Sequence, residues 1–74
     1  MLGVLNNIGV VYAEKLQNNE KALEYFFKLK EQSEESNYSE FNAFAYFNIG
    51  EMYFKCLRYK EALSWCEMAK LNLR

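Results

Sequence analysis

Two stretches of this chain repeat each other at nearly constant spacing, and that spacing restricts the fold more than any other feature. Asn7-Ile8-Gly9-Val10-Val11-Tyr12 returns 41 residues later as Asn48-Ile49-Gly50-Glu51-Met52-Tyr53. Glu20-Lys21-Ala22-Leu23 returns 40 residues later as Lys60-Glu61-Ala62-Leu63. A period of this size marks stacked supersecondary units, each too small to close a core alone. The two offsets differ by one, so the first unit holds one extra residue in its turn.

Proline is absent and glycine occurs only at 3, 9 and 50, which leaves the chain without the punctuation of an all-β fold. Apolar residues recur at helical spacing instead. Positions 2, 5, 8, 12 and 16 predict a first helix over about 2–16. After Gln17-Asn18-Asn19, with Asn19 as the expected N-cap, a second helix runs over about 20–35 and buries Ala22, Leu23, Phe26 and Leu29. Asn37 or Ser39 caps a third helix at about 40–56. A tight Leu57-Arg58 turn then leads into a fourth at about 59–72. Connections this short make neighbours antiparallel. The expected fold is all-α, two antiparallel helix hairpins in series within one domain spanning 1–74.

Gly9 and Gly50 cost ~1 kcal/mol each inside a helix relative to alanine. Close approach of a second helix explains them, with Ala22 and Ala62 facing the glycines and Tyr12 and Tyr53 covering each contact.

These residues resemble tetratricopeptide repeats of an elongated type. The second unit, about 39–73, carries Tyr46, Ile49-Gly50, Tyr53, Ala62, Cys66 and Ala69 at the family's positions. The first, about 2–36, carries Leu5, Ile8-Gly9, Tyr12, Ala22, Phe26 and Leu29. Cys66 stands where an aromatic is usual. Leu29 replaces a small residue, which predicts looser packing there. The resemblance covers nearly the whole chain and implies a right-handed solenoid acting as a protein-protein interaction module.

In that family the first helix of each hairpin lines a concave groove. The resemblance therefore places Asn6, Asn7, Val10, Phe44, Phe47, Asn48, Glu51, Phe54 and Lys55 on a peptide-binding face, with Gly3 and Ala13 nearby. Asn7 and Asn48 recur at one repeat position, and a primary amide both donates to and accepts from a peptide backbone. The alternative is that both are merely solvated. The family's carboxylate clamp does not carry over, because Asn6, Val10 and Glu51 occupy its positions. Phe44, Phe47 and Phe54 exceed what one helix buries alongside Tyr46, Ile49 and Tyr53, so some must meet a ligand, a partner chain or another repeat.

The remaining residues narrow the class further. A net charge of −1 lacks the footprint of a nucleic-acid binder. Without histidine, a phosphate loop or a nucleophile motif, no enzyme and no cofactor or metal is expected; Glu31, Glu34 and Glu35 read as a solvated face. Cys56 and Cys66 read as reduced packing residues. Met1–Leu5 is too short an apolar run for a signal peptide, which makes the cytoplasm the expected location and a membrane partner unexpected. Met1, Leu2 and Leu5 at one end, and Leu63, Met68, Leu71 and Leu73 at the other, suit either further repeats of a longer array or copies of the same chain. Self-association as a homo-oligomer is thus the alternative to binding an extended peptide or partner helix.

Overall fold

The computed structural model describes residues 2–72; Met1 and Leu73, expected at the apolar ends, lie outside them. The described residues form helices and turns only. Helix α1 spans Leu2–Val10 and runs on into a π-helical turn, Val11–Lys15; α2 spans Asn19–Ser36, α3 Ser39–Lys55 and α4 Tyr59–Asn72. Each helix packs on the next, and α3 also touches α1.

The π turn is where the first unit stores its extra residue. The Leu16 N–H donates to the Val11 carbonyl at 3.1 Å, five residues back rather than four. The Asn18 N–H then donates to the Tyr12 carbonyl at 2.8 Å, whereas in the second unit the Arg58 N–H donates to the Tyr53 carbonyl at 2.9 Å. Tyr12 and Tyr53 are counterparts, as are Asn18 and Arg58, so both turns close the same bond with one residue's difference. Gln17 and Leu57, just before those donors, both adopt left-handed backbone, at φ 50° and 65°. The continuous first α-helix expected over 2–16 is accordingly α only to Val10.

The caps differ from expectation. Asn18, not Asn19, caps α2, its side-chain oxygen accepting the Lys21 N–H at 3.1 Å. Asn19 is already helical. Neither Asn37 nor Ser39 caps α3: Asn37 closes α2 in the left-handed conformation that asparagine tolerates, and Tyr38 precedes α3 with no side-chain cap.

Close approach at the glycines is present: Gly50 faces Ala62 as expected, together with Cys66, whereas Gly9 has a different partner. A Cβ on Gly9 would stand 2.5 Å from the Phe26 ring, so Gly9 faces Phe26 rather than Ala22. On Gly50 it would meet the Cys66 sulfur at 2.9 Å and the Ala62 carbonyl oxygen at 3.1 Å. The glycine position is thus matched one turn further along the second helix, at Phe26 and its counterpart Cys66.

Helix α3 is seated on the first hairpin by a buried stripe. Ile49 and Met52 pack with Ala13, Ala22 and Phe26, while Ala45 packs with Leu5 and Leu29. Leu29 is fully buried, so the looser packing expected there is absent: the small partner, Ala45, lies on α3 instead. Burying side chains the size of Ile49 or Leu29 stabilises by ~1.5–3 kcal/mol each.

Three polar ties fix the register of this contact. The buried Ser33 hydroxyl donates to the Asn42 side-chain oxygen. The Tyr46 hydroxyl donates to Glu34 at 2.6 Å. The Asn48 amide donates to the Asn6 side-chain oxygen at 2.7 Å. Among the described residues no side-chain hydrogen bond joins α3 to α4. There the contact is apolar, with Trp65 of α4 beside Tyr46; Trp65 also stands edge-on to Phe27 of α2, both at 5.8 Å between ring centres.

Glu34 is therefore more than part of a solvated face. The Tyr46 hydroxyl holds its carboxyl below the usual carboxylate range; burial opposes this, and Lys30 adds a lesser lowering effect. Burial first, then the Glu34 bond and charge, push the Tyr46 hydroxyl up to about 12.

The π turn can be tested by shortening the chain. Deleting Glu14 should convert the π turn into an α turn, matching the second unit, and leave the thermal midpoint within a few degrees. Deleting Glu24 from the regular α2 should abolish cooperative melting, because everything beyond it rotates by about 100° at 3.6 residues per turn. Equal tolerance of both deletions would contradict the assigned role of the π turn.

Tyr46→Phe should cost ~1 kcal/mol at neutral pH, a typical hydrogen bond discounted for the exposure of Glu34. Glu34 has a depressed folded pKa, so its contribution is present above the ordinary carboxylate pKa and is lost as pH falls through the lowered value. Tyr46 has a raised one, so its contribution holds below pH 10 and is lost as pH rises through about 12. Urea titrations across pH should show the difference between parent and Tyr46→Phe shrinking at both extremes. A constant difference would remove the bond from the account.

Candidate functional site

The glycine and the small residues of the second hairpin hold α3 and α4 close, and the side chains beyond them stand apart. Gly50, Ala62 and Cys66 form a floor over which Phe54, Tyr59 and Leu63 rise as walls, with Glu51 at the rim. The depression continues along the same two helices past Cys66, between Phe44 and Phe47 on α3 and Ala69 and Lys70 on α4. The two stretches enclose about 580 and 430 Å³. Their walls are almost wholly apolar, and Phe44, Phe47, Phe54, Tyr59 and Leu63 are all exposed. A contiguous apolar surface of this kind is what partner-binding grooves present.

The nine residues expected on one peptide-binding face are divided by the structure. Phe44, Phe47, Glu51 and Phe54 come together in the α3–α4 groove. Asn48 is engaged internally with Asn6. Asn7 is exposed and makes no side-chain hydrogen bond among the described residues. Val10 is half-buried against the main core cluster. Lys55 lies in a separate polar cleft beside the π turn, with Glu14, Lys15 and Gln17. Gly3 is exposed and Ala13 is buried. The two repeat-related asparagines are not equivalent in space: Asn48 bridges α3 and α1, and Asn7 is exposed on α1.

Sequence reasoning anticipated Leu63 as part of an apolar end surface but missed the rest of the α4 wall. Tyr59, Leu63, Cys66, Ala69 and Lys70 read as the second helix of a hairpin, outside the family's groove. One signal was available: Leu63 and Cys66 stand at the repeat positions of Leu23 and Phe26, which α3 covers. Both cysteines are free; Cys66 is half-buried in the floor, whereas Cys56 is exposed at the end of α3 and does not serve as a packing residue. Among the described residues no group of three His, Cys, Asp or Glu side chains is placed to hold a metal ion, and no helix is long and apolar enough to cross a membrane.

Compared with known protein families, curated proteins and solved structures, the chain matches none.

The Asn6–Asn48 bond makes a measurable distinction. If it ties α1 to α3, Asn6→Ala and Asn48→Ala should each destabilise by ~1 kcal/mol, and the double variant should cost less than the sum by ~0.5 kcal/mol or more. Asn7→Ala should change stability by less than about 0.5 kcal/mol, as exposed substitutions do. Full additivity in a denaturant-melt cycle would show that the two amides do not interact.

Proposed function

We propose that this chain is a protein-protein interaction module whose α3–α4 groove receives an apolar helix face. The observation that carries this is the uncovered run of Phe44, Phe47, Phe54, Tyr59 and Leu63 over a small-residue floor. Helix-in-groove recognition needs such a trough, with anchors at i, i+3, i+4 and i+7 on the incoming helix. The tetratricopeptide resemblance supports the same class, with the two hairpins as successive turns of a right-handed solenoid. Its residues offer contact chemistry rather than catalysis. Two unpaired cysteines suit a reducing compartment, and we place the protein in the cytoplasm on that ground.

A second mode keeps the asparagine face. The Asn6–Asn48 bond uses one donor and one acceptor site, leaving the Asn48 side-chain oxygen and the Asn6 amide N–H groups for a peptide backbone. That arrangement favours an extended peptide lying across α1 and α3.

Helical peptides selected from a displayed library against this protein separate the two. With groove binding, Leu63→Glu should weaken the selected peptides about tenfold to hundredfold, the loss of one buried apolar anchor of ~1.5–3 kcal/mol. Asn7→Ala and Glu31→Ala should leave them unchanged. If binding ignores Leu63→Glu and falls with Asn7→Ala, the asparagine face is the site and the groove proposal fails.

A further inference from the structure

We infer that the occupant of the α3–α4 groove is the α1 helix of a second copy of this chain, entering as α3 enters the first hairpin. This rests on the groove proposal and names its partner. The internal repeat supplies a formed example of the contact. In the first hairpin the seat is built by Ala13, Ala22, Phe26 and Leu29, and α3 fills it with Ala45, Ile49 and Met52.

Shifted by one repeat, the seat becomes Phe54, Ala62, Cys66 and Ala69, which lie in the open groove or its floor. The bulk is redistributed rather than lost. One phenylalanine serves each seat, from α2 as Phe26 in the first and from α3 as Phe54 in the second, each facing a smaller residue (Ala13 or Cys66).

The filling face also has its counterpart. Ala45, Ile49 and Met52 correspond to Val4 and Ile8 on α1 and to Val11 where the π turn begins. In α3 these positions are 0–2% exposed, whereas Val4 is 53% and Val11 47% exposed. Helix α1 carries no charged residue over Leu2–Val10, unlike every other helix of the molecule. A solvent-facing helix surface ordinarily carries charge, and this one is dressed for burial. One chain thus bears both halves of an interface that it already forms once inside itself.

The contact is head-to-tail. Each copy offers α1 to the next and receives the α1 of another, so association is heterologous and grows into open chains unless a ring closes. It is also weaker than the internal junction. The tie between Asn48 and Asn6 would become Asn7 against Phe47, and Tyr46 has Leu5 as its counterpart, so neither of these hydrogen bonds is repeated.

Complementation in sedimentation equilibrium tests this on the intact chain. The parent should associate progressively between micromolar and millimolar concentration. Val4→Glu, which blocks the inserting face, and Leu63→Glu, which blocks the groove, should each weaken self-association about tenfold or more. Both positions are exposed, so circular dichroism and melting should remain those of the parent. Mixed in equal amounts, the two variants should form a one-to-one dimer that grows no further, since each retains the half the other lacks.

Association that survives Val4→Glu but not Leu63→Glu would overturn α1 as the occupant and leave the groove proposal standing. A mixture that stays monomeric would overturn the head-to-tail contact. A parent monomeric throughout would overturn self-association altogether, and the groove proposal would then stand or fall on whether displayed peptides depend on Leu63.

Discussion

Helix α3 has to satisfy two neighbours at once, and the rest of the structure depends on how it does so. One side packs Ala45, Ile49 and Met52 onto the first hairpin; another packs on α4. Apolar burial supplies the larger energy but no register, because a stripe of aliphatic side chains tolerates sliding. Register comes from Ser33–Asn42, Glu34–Tyr46 and Asn6–Asn48, which link α3 to both helices before it. A buried polar group that loses its partner costs ~1–3 kcal/mol, so a slipped arrangement is penalised at the partly buried ties. By contrast, α4 is held by packing alone, with Trp65 between Tyr46 of α3 and Phe27 of α2. The polar ties all face the first hairpin, which leaves the apolar side of α3 and α4 open.

The one-residue difference in length between the two hairpins is absorbed at one helix end. An extra residue within an α-helix rotates everything after it by about 100°, which would carry Ala22 and Phe26 off the core face. The π turn at Val11–Lys15 widens one turn instead and restores the phase before Asn18. Ala13 remains buried within it. The difference in length between the hairpins is therefore confined to one helix end.

Much of this was legible from residue order. Helical spacing and the repeat gave four helices, their approximate limits, and both glycine contacts as sites of close approach. The surplus of phenylalanines on α3 pointed correctly to exposure. What stayed hidden was tertiary. Adjacent asparagines at 18 and 19 are equally good caps, and only the widened π turn decides between them. The Asn6–Asn48 and Glu34–Tyr46 bonds join residues distant in sequence, and no local pattern announces them. Asn7 and Asn48 share a repeat position, yet Asn48 meets Asn6 across the helix contact while Asn7 is exposed. The far wall of the groove, apart from Leu63, was missed for a related reason. Leu63 and Cys66 belong to a helix whose counterpart, α2, is covered by α3, and their own exposure depends on whether another helix lies against α4.

The central claim is that α3 forms one cooperative unit with the first hairpin rather than with α4 alone, and native-state hydrogen exchange reads this directly. The account predicts that amides of α2 around Phe26–Leu29 and of α3 around Ala45–Met52 are the slowest to exchange. They should open together, with the same denaturant dependence as global unfolding. Helix α4 and the π turn should open earlier. Protection of α3 and α4 that persists while α1 and α2 exchange freely would mean that the second hairpin stands alone, and would contradict the claim.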